Sequence, residues 1–388
     1  MAQHDPRALS VRLRNYLSGP FLDFQRNAFA DGAQGGFHEK LDLHGQPLAP
    51  GHKRLLTQCR QLFVHSHAAA FGNGPPLAAT ARSGFEFLAS NYWDSEDGGW
   101  FFQTDAAGTV TNPDKDLYGH AFVVFALSYY YRASSDPAAL NLVNRTLDVI
   151  HQRLRAPQHG GFVDRATRDW QPIAGQRRQN PHMHLLEAYL AYTDCNGDQD
   201  VRGEIRSLLQ LPFVETATNT LGEFFNDDWS PAAENGHIVE PGHHFEWAWL
   251  LDWAARRNAG GAANATLLER ADQLFAWGCR HGVDRNDGGV YDEVARDGAI
   301  LRTTRRVWPH TEYLKALATQ LERHGRADLR ARLAQAAQLF CNRYLLADGR
   351  WHEHLDAAGR SLRPELPGTS GYHLYLGLVE AATSLDDS

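Results

Sequence analysis

Asn180-Pro-His-Met-His-Leu-Leu-Glu-Ala188 reads as the start of a buried helix. Proline suits the first helical turn and is costly further in, and Leu185, Leu186, Ala188, Tyr189 and Leu190 supply the apolar run behind it. His184 and Glu187, three residues apart, share one face near the N-terminal end. Pro241-Gly-His-His-Phe-Glu-Trp247 repeats the arrangement, with His243 and Glu246 again three apart. Two such entries, 59 residues from His184 to His243, point to an internal repeat.

Glycine turns give the period. Gly35-Gly-Phe37, Gly98-Gly-Trp100, Gly160-Gly-Phe162 and Gly288-Gly-Val290 recur at about 62 residues, with Gly349-Arg-Trp351 as a sixth variant. Glu223-Phe-Phe-Asn-Asp-Asp-Trp229 stands where the fourth is due. Second turns such as Ala107-Gly108 and Asp297-Gly298 make each segment a small β-hairpin. Helical periodicity fills the rest. It predicts helices before the hairpins over 10–31, 75–92, 136–154, 200–217, 263–282 and 326–345. Others follow them over 52–72, 116–133, 178–195, 241–258, 304–323 and 367–385. Each pair needs its neighbours to bury its apolar face, so residues 1–388 are expected to form one all-α domain, an (α/α)6 barrel. Aromatic and small residues on several faces of the second helices place them in an inner ring. The hairpins then roof a cavity where those helices begin.

Composition narrows the function. There are 46 acidic against 38 basic residues, a net charge of -8, which argues against nucleic acid for want of a basic footprint. No apolar run nears the ~20 residues of a membrane helix, and the N-terminal stretch lacks a secretory core. Cys59, Cys195, Cys279 and Cys341 are scattered and read as reduced thiols. A cytoplasmic protein is expected.

Aligned by repeat, the early turns of the inner helices carry Arg60, Tyr118 with His120, His184 with Glu187, His243 with Glu246, Trp308 with His310 and Glu312, and Tyr372 with His373. In a toroid such positions converge on the axis. Glu187 and Glu246, in otherwise apolar helices, are expected to orient imidazoles or bind hydroxyls. His182 lies about 200° round the helix from His184 and faces elsewhere. No zinc motif, carboxylate loop or phosphate-binding glycine loop occurs, so neither a metal nor a cofactor is expected. Imidazoles among Trp, Tyr and Phe suit a polar, neutral substrate such as a sugar. Imidazole can take and return a proton near neutral pH, and Arg60 could stabilise an oxyanion. Inverting glycosidases use two carboxylates instead.

At these residues the chain resembles the N-acylglucosamine 2-epimerase superfamily, and within it the D-mannose isomerases. The segments are Lys53-Arg-Leu-Leu-Thr-Gln-Cys-Arg60, Asp116-Leu-Tyr-Gly-His-Ala-Phe122, Asn180 to Glu187, Gly242-His-His-Phe-Glu-Trp247, Arg306-Val-Trp-Pro-His-Thr-Glu312 and Tyr372-His373. The resemblance implies cofactor-free interconversion of D-mannose and D-fructose through a cis-enediolate. His243 and His373 would be the acid/base pair, and His184 would assist ring opening or polarise O1. Arg60 would hold the enediolate oxygens, and Glu246 would orient an imidazole. Tyr118, His120, Asn180, Glu187, Trp308 and Glu312 complete the expected sugar site. Sugar 2-epimerisation of the mannose/glucose or cellobiose type, a non-catalytic binding protein like the superfamily's renin-binding member, and a hydrolase on the same toroid stay open. Dimers occur in the superfamily, so a homodimer is compatible with the resemblance.

Overall fold

A computed structural model describes residues 5–49, 51–72, 74–195 and 199–386. Of the features read from sequence, the N-terminal stretch at Met1–His4 and Asn73 in the first inter-unit link lie outside the described residues. Among the described residues, twelve helices alternate between two rings. The outer ones are α1 (Pro6–Tyr16, prolonged by π-helical turns to Phe29), α3 (Pro75–Asn91), α5 (Pro137–Val149, prolonged to Leu154), α7 (Arg202–Leu209), α9 (Asn264–Trp277, prolonged to Gly282) and α11 (Ala327–Arg343). The inner ones are α2 (Leu55–Ala70), α4 (Leu117–Ser134), α6 (Gln179–Asp194), α8 (Pro241–Arg256), α10 (Val307–His324) and α12 (Ser370–Asp386). Each inner helix packs on the next, and α12 returns to α2, closing an (α/α)6 barrel. Proline opens α1, α3, α5 and α8, where its missing N–H costs nothing. The inner helices are apolar nearly all round, as their place between core and axis requires.

One expectation needs correcting. The fourth outer helix was expected over 200–217 but ends at Leu209, and a short ladder of Val214–Glu215 with Thr220–Leu221 takes its place. Leu211-Pro212 cannot continue the helix, since proline disfavours helical backbone in the residue before it. The expected hairpins form within units, as where Gln103–Asp105 pairs with Val110–Asn112 and Glu293–Ala295 with Ile300–Arg302, and the strands also pair between units. His52–Arg54 joins Gln103–Asp105, Lys115–Asp116 joins Arg165–Ala166, and Arg177–Arg178 joins Phe224–Phe225. Ile238–Val239 joins Glu293–Ala295, Arg305–Arg306 joins His354–Leu355, and Lys40–Asp42 closes the circle on Glu365–Pro367. The mouth of the barrel is therefore a ring of six two-strand clasps.

The glycine turns lock that ring to the inner helices. At Gly99 φ is +73°, and a Cβ there would lie 2.7 Å from Trp170 and 2.8 Å from His120. Gly161 is in the same position against Trp229 and His182. The tight approach lets the next backbone N–H reach the helix: Trp100 donates to His120 Nε2 at 3.0 Å, Phe162 to His182 Nε2 at 3.0 Å and Val290 to His310 Nε2 at 2.9 Å. Leu221 does the same to His244, and Phe37 to the Gln58 side-chain oxygen. The other ring nitrogen of His120, His182 and His310 donates to the carbonyl four residues back.

Candidate active site

The inner helices start at the mouth, and their first two turns line a cavity of about 610 Å3, within the usual range of small-molecule sites. Arg60, Tyr118, Asn180, His184, His243, Glu246, Trp308 and His373 all line it. Glu187 and Glu312 stand directly behind, each bonded to a lining histidine.

His120 is not in the cavity. Both its nitrogens are bound to backbone and it is fully buried, which pushes its pKa down to about 3. It is the fourth residue of α4, as His182, His244 and His310 are of α6, α8 and α10, and that position points outward, toward the turns. His120→Ala should lower stability by about 3 kcal/mol, combining a lost side chain with an unsatisfied Trp100 N–H, yet leave KM for the substrate within twofold. Urea unfolding and steady-state kinetics check both parts.

Five imidazoles line the cavity, His52 and His354 from the strands at its mouth and three from the inner helices, and each of these three has its Nδ1 tied to a buried carboxylate. His184 meets Glu187 at 2.8 Å, His243 meets Glu223 at 2.9 Å and His373 meets Glu312 at 2.7 Å. A carboxylate only accepts, so each Nδ1–H donates and Nε2 is left for the cavity. Glu223 was missed in the sequence; it lies in the irregular fourth unit, and its other hydrogen bonds come from the Glu240 backbone N–H and from Gln179, which in turn takes the Trp247 indole N–H. The expectation that Glu246 orients an imidazole is not met. Both its oxygens lack a hydrogen bond, and its nearest imidazole nitrogen is His184 Nε2 at 3.9 Å. The two His-x-x-Glu entries are also not equivalent. His184 is the sixth residue of α6 and so matches Glu246, the sixth of α8, whereas His243 is the third. Three residues turn a helix by about 300°, so both histidines still face the axis, one turn apart in height.

Electrostatics separate the imidazoles. Burial works against a charge on His243, but Glu223, then Glu240 and Glu246, overcome it and raise its pKa to about 9. His373 is pushed well below the usual value by burial and by Arg60 and Lys315. His184 is lowered to about 4, mainly by burial. Trp308 touches both His243 and His373, ring centres 4.8 and 5.7 Å away. Beneath them Lys315 is fully buried, 2.6 Å from Glu312 and 3.9 Å from the centre of the Trp249 ring. Burial and the charge of Glu312 raise the Glu246 carboxyl well above its usual range. Arg60 donates to Tyr118 Oη at 2.7 Å, lies over Phe122 and Tyr372, and among the described residues has no carboxylate partner.

Two groups could hold a cation by spacing alone: His184, Glu187 and Glu246, and Glu246, Glu312 and His373, donor atoms within 4.8 Å. Most of those atoms already have partners. Glu187 accepts from His184 and Tyr372, and Glu312 is shared by His373 and the Lys315 ammonium. The site can move protons between neighbouring carbons of a polyhydroxylated substrate, with an arginine for the oxyanion and aromatic faces for C–H surfaces.

Comparison with known proteins gives the same direction. The family model described as N-acylglucosamine 2-epimerase (GlcNAc 2-epimerase) matches residues 35–377. The chain is 31% identical over 386 residues to a mannose-6-phosphate isomerase of Rhizobium meliloti (strain 1021), covering 95% of each chain. It is 31% identical to a D-mannose isomerase of Thermobifida fusca, covering 94% of this chain and 95% of that one. A cellobiose 2-epimerase structure from Spirochaeta thermophila DSM 6192 superposes with a TM-score of 0.89 at 25% identity, covering 98% of both.

Proposed function

The chain belongs to the N-acylglucosamine 2-epimerase family, whose relatives here are sugar isomerases and epimerases, and on that premise we propose that it is an aldose–ketose isomerase interconverting D-mannose and D-fructose. The observation that carries the reading is the pair of imidazoles that both touch Trp308, each braced by its own carboxylate and held in opposite protonation states. In the forward direction the pyranose opens, with His184 and Glu246 acting on the O1 and ring-oxygen end. Neutral His373 takes the C2 proton through Nε2 as the C1–C2 double bond forms, and protonated His243 delivers a proton to O1. Arg60 holds the enediolate oxygens. His243, now neutral, then takes the O2 proton as the C2 carbonyl forms, and the proton on His373 goes to C1, which restores both imidazoles. One base serving both carbons on one face suffices for this outcome.

Charge at the mouth favours a neutral sugar over a sugar phosphate. Lys40 is paired with Glu365, Arg54 with Glu39, and Arg306 with Glu240 and Asp292. Little positive charge is left for a dianion. Incubation with D-mannose, D-mannose 6-phosphate, D-glucose and cellobiose, with product sugars resolved by chromatography, tests the reading. Fructose from mannose, at a rate at least tenfold above turnover of any of the others, is expected. Preferential turnover of cellobiose or of the phosphate would overturn it. The 2-epimerase reading has one observation in its favour: His243 and His373 contact the same indole and could act as two opposed bases.

The active form needs His373 neutral and His243 protonated. Its kcat/KM should therefore hold level from pH 6 to 8 and fall above about pH 9, as the acid is lost. A profile that instead rises through pH 9 would reverse the roles. Because Lys315 already supplies the charge that neutralises the carboxylates, exhaustive chelation should leave turnover unchanged. A loss restored by a divalent ion would contradict the metal-free route.

A further inference from the structure

One position recurs round the mouth, just before the strand that clasps the neighbouring unit. It is held by Glu39, Phe102, Asp164, Glu223, Asp292 and Glu353. In five units the carbonyl of this residue accepts the first backbone N–H of an inner-helix entry: Glu39 from Gly368, Phe102 from Leu55, Asp164 from Leu117, Glu223 from Gln179 and Glu353 from Val307. Asp292 has Pro241 opposite it, which has no N–H to give. Three of the acids meet an arginine 14 or 15 residues later in their own unit: Glu39 with Arg54 at 2.7 Å, Asp164 with Arg178 at 2.9 Å and Asp292 with Arg306 at 3.1 Å. These ion pairs fix the strand that enters each inner helix.

The second unit has Phe102 in place of the acid, and two of the five acids break the rule. In the fourth unit, Glu240 stands at the arginine's place, and Glu223 turns to His243. In the sixth, Pro367 stands there, so Glu353 receives no base. Its oxygens accept from the Trp351 indole N–H at 2.7 Å and from Ser370 Oγ at 2.9 Å, and among the described residues it has no ion-pair partner. Yet it lines the same cavity as His243 and His373. Burial raises its pKa to about 7, against the two hydrogen bonds and the more distant Arg363 and Arg306. Each oxygen keeps a further lone pair. A partly buried carboxyl with spare capacity and no counter-ion is costly unless something else supplies donors.

We propose that Glu353 is a substrate-binding residue that receives a hydroxyl of the sugar remote from C1 and C2, its ion-pair arginine having been replaced by Pro367. This rests on the sugar-isomerase reading of the cavity. It makes Glu353 a determinant of which hydroxyl pattern is accepted, while the reacting carbons stay with His243 and His373.

The test pairs substrate and residue deletions. Turnover of D-mannose and of its 3-, 4- and 6-deoxy analogues is measured for the parent, Glu353→Ala and Glu353→Gln, with the unfolding midpoint recorded for each. The parent should lose at least tenfold in kcat/KM on one of the deoxy sugars. Glu353→Ala should lose about tenfold on mannose, chiefly in KM, and no longer distinguish mannose from that one analogue by more than twofold. Glu353→Gln, which still hydrogen-bonds Ser370, should keep the unfolding midpoint and show a smaller KM rise. If both variants penalise every deoxy sugar as the parent does, Glu353 only braces Trp351 and Ser370 and the proposal fails. If the parent turns over none of these sugars, the isomerase reading itself fails, a different result from additive losses.

Discussion

His373→Ala should lower kcat on D-mannose by about 10^3-fold, and His243→Ala by a similar factor, with unfolding midpoints close to the parent's. Proton transfer by a positioned side chain contributes about 10^2 to 10^4 in rate, and both residues serve the same transfer. His373 is the proposed base because burial, Arg60 and Lys315 keep it neutral, with its Nδ1–H engaged by Glu312. His243 is the proposed acid because Glu223 keeps it charged. Acting as a unit, they should not be additive, and the double variant should be little worse than either single one. Neither histidine is a structural clasp of the His120 kind, so loss of activity should come without loss of fold. Activity within tenfold of the parent in either variant would remove that residue from the chemistry.

Lys315→Met should have the largest effect on stability, a loss of about 3–5 kcal/mol in denaturant unfolding, the range for breaking a buried ion pair from one side. The ammonium is fully buried, 2.6 Å from Glu312, with Glu246 and Glu187 also raising its pKa. Three carboxyl groups converge beneath the sugar site, and without Lys315 at least one must take up a proton. Methionine fills much of the same volume against Trp249, which isolates the charge from the packing. Activity should fall as well, since a protonated Glu312 no longer braces His373 as an acceptor. A change below 1 kcal/mol would mean that the carboxylates are already neutral in the parent.

The fold was legible because the sequence states it six times. The glycine turns, proline entries and apolar inner helices repeat at about 62 residues, and eleven of the twelve expected helices run close to their expected lengths. The fourth outer helix failed where Pro212 and the missing glycine pair broke the pattern. The site was legible as a set of residue types, less so as geometry. In α4, α6, α8 and α10 histidines recur at positions with opposite duties: the fourth residue faces the turns, as in His120, whereas the third and sixth face the axis, as in His243 and His184. A repeat count blurs them because three residues are nearly one turn. Glu223 and Glu353 did have a sequence signal. The acid–arginine spacing of Glu39 to Arg54, Asp164 to Arg178 and Asp292 to Arg306 fails at those two acids. It can be read only once the clasps between units show that the residues share one position.

The most direct test of the central claim is the fate of the C2 proton. D-Mannose incubated with the enzyme in deuterated water and followed by NMR should give fructose as the main product, with one deuterium at C1 and little deuterium at C2 of the remaining mannose at early times. Glucose as the main early product, deuterated at C2, would contradict the isomerase account and require two bases on opposite faces of the enediolate.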